Sequence, residues 1–156
     1  MLGVFSADLV EPLAHVLLAL GSEHAMVVHA DEGLDEISIA GSTQVAELRD
    51  GEIKTYRISP EDFGMTVQSL DGLSVDSAEA SAALIRGALS GSNDPAAKKA
   101  AAIITLNAVA TINVSGIAST MAQGVAMADD LLDSGQAKEK LKAFVNFTQL
   151  MSTQES

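Results

Sequence analysis

An apolar run that ends in a cluster of acids constrains this chain more than any other feature. Residues 25–30 (AMVVHA) are almost entirely apolar, as in a strand that is covered on both faces. The next segment, 31–36 (DEGLDE), contains four carboxylates. Carboxylates this close repel each other and are costly to desolvate, so the turn is either solvated or paired with a cation.

A helix is predicted immediately before this strand. Residues 6–20 (SADLVEPLAHVLLAL) repeat apolar side chains at helical spacing, Asp8 and Glu11 resemble a capping box, and Gly21 is a plausible end. A helix that leads into a continuously apolar strand is typical of a helix-flanked, mostly parallel sheet. The sequence therefore predicts an α/β fold.

A β-hairpin is predicted after the acidic turn. Residues 36–40 and 43–48 are rich in β-formers, and Asp50-Gly51 separates the second of these segments from residues 53–58. Asp-Gly between two alternating segments is a strong hairpin signal. We therefore expect a hairpin insertion in the sheet.

The remaining sequence predicts a loop and then a helical half. Residues 59–76 contain Pro60, Gly64 and Gly72, which is typical of a long loop. Helices are predicted at roughly 78–90, 95–116, 118–133 and 136–150.

The expected domain organisation follows from the small amount of strand. One buried strand and a hairpin cannot form a stable, doubly covered sheet, and no strand is predicted ahead of residues 25–30. We therefore expect residues 1–151 to be the C-terminal portion of one α/β domain, followed by a frayed polar tail at 152–156.

Composition narrows the classes of function. The chain has 21 acidic and 9 basic residues, a net charge of −12, which argues against a nucleic-acid partner. Its apolar runs are too short for a membrane span, and the N-terminus lacks the pattern of a secretory signal. The absence of cysteine is compatible with a reducing cytoplasm, where we expect the protein to act.

The order of several motifs adds a resemblance to a known family. The segments GVFS, ALGSEHAMVVHADEGLDEIS, TQVAELRDGEIKTYRISPEDFG, LNA and GQAKEKL follow one another at a specific spacing. Over residues 2–150 the chain resembles the C-terminal half of the anthranilate phosphoribosyltransferases. This glycosyltransferase family also includes the pyrimidine nucleoside phosphorylases.

The resemblance implies an activity and a metal site. The reaction would transfer the phosphoribosyl group of phosphoribosyl pyrophosphate (PRPP) to anthranilate, with Mg²⁺ as cofactor. The acidic pair of the family's Gly-Leu-Asp-Glu motif, which helps to hold Mg²⁺, corresponds here to Asp35 and Glu36. Mg²⁺ prefers oxygen ligands, and ligands of open α/β sheets bind beyond the C-terminal ends of the strands.

The resemblance also implies what the chain lacks. The family's glycine-rich phosphate loop, its Lys-His-Gly-Asn segment and its anthranilate-contacting Arg lie upstream of the position of Leu2, as does the domain that carries most of the homodimer interface. We therefore expect the 156 residues alone to be inactive.

Other polar residues are given structural interpretations. Asp31 and Glu32 are expected to be solvated, and His29 is expected to form a structural hydrogen bond at the strand end. Where the family has Gly after this histidine, the chain has Ala30, which is less permissive. Asn107 is expected to fix packing through a helix-to-loop hydrogen bond.

Two alternatives remain open at the level of sequence. One is a pyrimidine nucleoside phosphorylase or another homologue of the same fold with a different acceptor. The other is a non-catalytic relative that binds nucleic acid or a partner protein, against which the charge and the intact Gly-Leu-Asp-Glu motif both argue.

Overall fold

A four-stranded sheet occupies the N-terminal part of the protein in the computed structural model, which describes residues 1–152. The strand order is β1-β2-β3-β4, with β1 parallel to β2 and the other neighbours antiparallel. The strands are β1 (Leu2–Gly3), β2 (His24–Ala30), β3 (Thr43–Arg49) and β4 (Glu52–Ile58).

The strand directions within this chain differ from the expected mostly parallel sheet. Only β1 and β2 are parallel, since a helix crosses between them, whereas β2 and β3 are joined by a loop without a helix. The expectation that no strand precedes β2 was also wrong. Leu2 and Gly3 pair with Val27 and Val28, a two-residue strand too short to be recognised from sequence pattern.

The predicted hairpin is confirmed. Arg49 pairs with Glu52, so the connection between β3 and β4 consists of Asp50 and Gly51. Both residues have positive φ, 52° and 81°, which is the conformation that a type I′ turn requires and that matches the twist of the strands.

Within residues 1–152, five α-helices complete the fold, and four of them form the helical C-terminal half that was expected. Helix α1 follows a 3₁₀ helix at Ala7–Leu9, and a second 3₁₀ helix spans Pro60–Phe63 within the predicted loop. The helices are α1 (Val10–Ala19), α2 (Ala78–Leu89), α3 (Pro95–Val114), α4 (Met121–Asp133) and α5 (Gln136–Ser152).

Local capping explains where three of these helices begin. The side chains of Ser77, Asp94 and Thr120 accept hydrogen bonds from backbone N–H groups of the first turns of α2, α3 and α4. At α1 the expected capping box does not form, because the chain enters that helix through a 3₁₀ turn without a side-chain cap.

Strand β2 is buried on both faces, as its apolar sequence predicted. Met26 and Val28 join the larger core cluster with Leu106 and Val109 of α3. Val27 points to the opposite side, into a smaller cluster beneath α1 that includes Val10, Ala14 and Ala46. The alternation of side chains along one strand thus connects two helical layers.

The predicted strand at residues 36–40 does not form. Ile37 and Ile39 are fully buried, and their side chains pack in the larger core cluster. The backbone groups of Ile37 bond to the Asn107 side chain instead of a neighbouring strand. Hydrophobicity alone cannot tell whether a buried backbone will bond to a neighbouring strand or to a side chain.

Helix α5 extends to the first residue of the tail expected at 152–156. Ser152 is the last residue of α5, and the rest of the tail expected at 152–156 lies outside the described residues. Within residues 1–152, none of the helices combines the length and apolar character that crossing a membrane would require.

Candidate metal-binding site

The acidic turn is closed by backbone hydrogen bonds at the end of β2. The N–H of Ala30 donates to the carbonyl oxygen of Leu34 at 2.9 Å, and the N–H of Gly33 donates to that of Ala30 at 2.9 Å. Gly33 has a φ of 90°, which a side chain would disfavour. The chain therefore reverses direction in a tight turn, and Asp35 and Glu36 lie just after it.

Alanine is compatible with the position where the family has glycine. Ala30 is the last residue of β2 and is fully buried. Within residues 1–152, Asp50 is the only non-glycine residue with positive φ, so Ala30 needs no glycine conformation. The turn takes its positive φ at Gly33 instead.

Asp31 is already neutralised by a basic side chain. Its carboxylate forms a close ion pair with Arg57 of β4, and Nε of Arg57 donates to the hydroxyl oxygen of Ser42 at 2.9 Å. The expectation that Asp31 is merely solvated was therefore incomplete. The sequence does not reveal this pair, because it depends on the register that places Gln44 of β3 opposite Arg57.

Glu32 folds back over the loop that leads into β3. A Cβ built at Gly41 would overlap a carboxylate oxygen of Glu32, so the glycine leaves the space that this side chain occupies. Glu32 therefore lies against the turn, while the next two acids lie beyond it.

Asp35 and Glu36 form an adjacent pair of carboxylates that has no cationic partner among residues 1–152. Both residues are exposed, and no salt bridge within the described residues includes either of them. Partial burial of the Glu36 carboxyl group, followed by the neighbouring charge of Asp35, raises its pKa. The anionic form of Glu36 is therefore disfavoured, and a bound cation would relieve that cost.

Contacts from β1 and α3 hold the backbone around this pair. Gly3 of β1 lies so close to Asp35 that a Cβ at position 3 would overlap the carbonyl oxygen of Asp35. Asn107 of α3 bonds to both backbone groups of Ile37, as the expected helix-to-loop contact. Nδ1 of His29 lies 2.8 Å from the carbonyl oxygen of Val4, which accepts its N–H and gives His29 the expected structural role.

The residues present fit a hard divalent cation that retains other ligands. Within residues 1–152, no group of three or more His, Cys, Asp or Glu side chains is placed to enclose a metal. Zinc sites usually have such a set of protein ligands, whereas Mg²⁺ is commonly held by one or two carboxylates together with waters and phosphate oxygens. Asp35 and Glu36 match the second pattern.

Most of the chain matches a known family. A sequence model described as "Glycosyl transferase family, a/b domain" matches residues 1–138. The chain belongs to this glycosyltransferase family, which confirms the resemblance seen in the sequence.

The relatives within the family carry a more specific name. The anthranilate phosphoribosyltransferase of Saccharophagus degradans is 55% identical over 150 residues, covering 96% of this chain and 44% of that protein. The protein of the same name from Cellvibrio japonicus is 55% identical over 151 residues, covering 97% of the chain and 44% of the relative. The chain thus spans less than half the length of these curated relatives.

Solved structures agree on the fold. A crystal structure of anthranilate phosphoribosyltransferase from Thermus thermophilus superposes with a TM-score of 0.80 at 33% identity, covering 94% of this chain and 42% of that chain. The Saccharomyces cerevisiae enzyme, solved in complex with PRPP and Mg, gives a TM-score of 0.78 at 24% identity, covering 92% and 41%. At that identity the second match supports the fold alone.

Gly3→Ala should displace the acid pair, because its Cβ would overlap the carbonyl oxygen of Asp35. Overpacking of this kind costs about 1–3 kcal/mol. We expect a lower unfolding midpoint in urea and shifted backbone amide NMR signals at residues 35–37 in the complete protein. Leu2→Ala is the control, since Leu2 is partly exposed in the same strand; equal shifts in both variants would contradict the prediction.

Glu36→Gln should stabilise the metal-free protein at neutral pH. A carboxyl pKa that is raised by folding destabilises the folded state as pH rises from the ordinary value of 4.5 through the folded value. The variant should therefore gain stability relative to the parent between pH 4 and pH 7, measured by urea unfolding in EDTA at each pH. Glu32→Gln, in the same turn, is the control; an unchanged pH dependence in Glu36→Gln would refute the assignment.

Proposed function

We propose that the complete protein transfers the phosphoribosyl group of PRPP to the amine of anthranilate, releasing pyrophosphate, in tryptophan biosynthesis. The observation that carries this proposal is the Asp35–Glu36 pair, which follows the turn after β2 and has no salt-bridge partner within residues 1–152. Relatives named anthranilate phosphoribosyltransferase at 55% identity support the choice of anthranilate over the acceptor of a nucleoside phosphorylase.

Asp35 and Glu36 are proposed to hold Mg²⁺ at the pyrophosphate of PRPP, directly or through water. When bound, Mg²⁺ stabilises the negative charge that develops on the leaving pyrophosphate. The two side chains contribute fixed negative charge at the open end of the turn. Neither is proposed as a nucleophile, because positioning and electrostatic stabilisation suffice for this class of reaction.

The remaining acids are proposed to have supporting roles. Arg57 neutralises Asp31, which removes its charge from the set available to a cation. Glu32 lies against Gly41 and packs the loop. This division of roles makes Asp31 and Glu32 natural controls for Asp35 and Glu36.

The organisation of the complete protein is part of the same proposal. Residues 1–151 are assigned to the C-terminal portion of the α/β domain, consistent with coverage of 44% of the curated relatives. We propose a homodimer formed through a domain outside these residues, acting in the cytoplasm. The absence of cysteine from the chain is compatible with that reducing compartment.

Replacing either acid of the pair should weaken the dependence on Mg²⁺. In the complete protein, Asp35→Asn and Glu36→Gln should each raise the Mg²⁺ concentration for half-maximal activity by about tenfold or more, since even outer-sphere changes around metal ligands cost about 10- to 100-fold. Activity is followed by PRPP-dependent loss of anthranilate fluorescence.

Asp31→Asn and Glu32→Gln remove the same charge from the same turn and serve as matched controls. Both should change the Mg²⁺ requirement by less than about fivefold, because screened surface charges are worth about 1 kcal/mol or less. A similar effect from all four substitutions would indicate a general charge effect and would reject Asp35 and Glu36 as specific ligands.

The 156 residues by themselves should be catalytically inactive. The chain covers 44% of its curated relatives, and we expect the groups that bind phosphate and anthranilate to lie in the remainder. Purified protein of this length should give no Mg²⁺- and PRPP-dependent loss of anthranilate fluorescence. A turnover that Asp35→Asn abolishes would show that this expectation is wrong.

A further inference from the structure

Asn107 connects helix α3 to the backbone directly after the acid pair. The N–H of Ile37 donates to Oδ1 of Asn107 at 2.9 Å, and Nδ2 of Asn107 donates to the carbonyl oxygen of Ile37 at 3.0 Å. Nδ2 also donates to the carbonyl oxygen of Ile103, one turn earlier in α3, at 2.9 Å. A single side chain therefore satisfies both backbone groups of Ile37.

These contacts define the orientation of the amide. Nδ2 faces two carbonyl oxygens, while Oδ1 faces an N–H group, so a flipped amide would lose all three bonds. Because Ile103 fixes one amide hydrogen within the helix, the remaining two groups point to Ile37 in a fixed geometry. An isosteric carboxylate would keep the bond to the N–H and lose both bonds donated by Nδ2.

The helix that carries Asn107 is firmly held. Its neighbours Leu106, Val109 and Ala110 are fully buried in the larger core cluster. A functional group positioned from a packed helix is held more precisely than one supported only by a loop. The contact thus anchors residues 36–40, which do not form a strand, to the packed helix α3.

The acid pair lies between two fixed backbone positions. Gly3 contacts the carbonyl group of Asp35 on one side, and Asn107 holds Ile37 immediately after Glu36 on the other. The backbone on both sides of the two acids is thereby held in place.

We infer that Asn107 is a positioning residue that holds Asp35 and Glu36 in the geometry needed to bind a divalent cation. This inference rests on the proposed function of the acid pair. Asn107 does not itself contact the cation or the substrate in this scheme. Its contribution is that of an outer-sphere group, for which a loss of about 10- to 100-fold in metal affinity is typical.

The test compares Asn107 variants of the complete protein in the absence of turnover. MgCl₂ is titrated alone, and binding is followed by the amide NMR signals of residues 35–37, together with hydrogen exchange of the Ile37 amide in EDTA. Asn107→Ala and Asn107→Asp should weaken Mg²⁺ binding by about 10- to 100-fold. Loss of affinity in Asn107→Asp would be informative because its added negative charge should otherwise favour a cation.

Hydrogen exchange adds a readout that distinguishes local positioning from general stability. Exchange of the Ile37 amide should accelerate in Asn107→Ala, which removes its acceptor, and less in Asn107→Asp, which retains an acceptor oxygen. Val109→Ala is the control for lost stability, since Val109 is fully buried in α3 and belongs to the core. It should lower the unfolding midpoint while preserving Mg²⁺ affinity and Ile37 protection.

Each outcome decides the inference. Unchanged Mg²⁺ affinity in the Asn107 variants, or an equal loss in Val109→Ala, would overturn it. Failure of both Asn107 variants to fold where Val109→Ala folds would assign Asn107 to the fold instead. If Asp35→Asn and Glu36→Gln leave Mg²⁺ binding unchanged in the same titration, the proposed function itself fails. Loss in the acid variants without loss in the Asn107 variants rejects only the positioning role.

Discussion

The rest of the structure depends on the burial of β2 on both faces. Val28 packs toward α3, Val27 packs toward α1, and each strand residue between Ala25 and Val28 is removed from water. Burial of an apolar side chain of this size is worth about 1.5–3 kcal/mol. The strand therefore fixes the relative positions of the two helical layers, and its C-terminal end becomes a defined point from which the acidic turn departs.

The distribution of charge at that end explains how one turn can carry four acids. Arg57 is supplied by the hairpin and pairs with Asp31, which removes one charge from the mutual repulsion. Glu32 lies back against the loop at Gly41. Asp35 and Glu36 remain adjacent and unpaired by a basic side chain within residues 1–152. Partial burial and then the charge of Asp35 raise the pKa of Glu36.

Sequence patterns predicted the elements whose signals are local. The hairpin followed from Asp50-Gly51, and the start of α3 followed from the cap-and-proline pair Asp94-Pro95. The strand direction, the pairing of Leu2–Gly3 with β2 and the ion pair of Arg57 depend on contacts between distant residues, so no local pattern reports them. A family motif marks the Asp35–Glu36 pair in the sequence, whereas the packing of Gly3 against Asp35 joins distant residues and leaves no sequence motif.

The hydrogen bonds between Asn107 and Ile37 also have a consequence for the order of folding events. The two residues are 70 positions apart, so this contact belongs to the non-local part of the topology and closes only after α3 has docked on the sheet. During synthesis, the acidic turn leaves the ribosome long before the residue that fixes it. The turn and the hairpin can form early, but the final geometry of the backbone around Asp35 and Glu36 is reached late in folding, once α3 is in place.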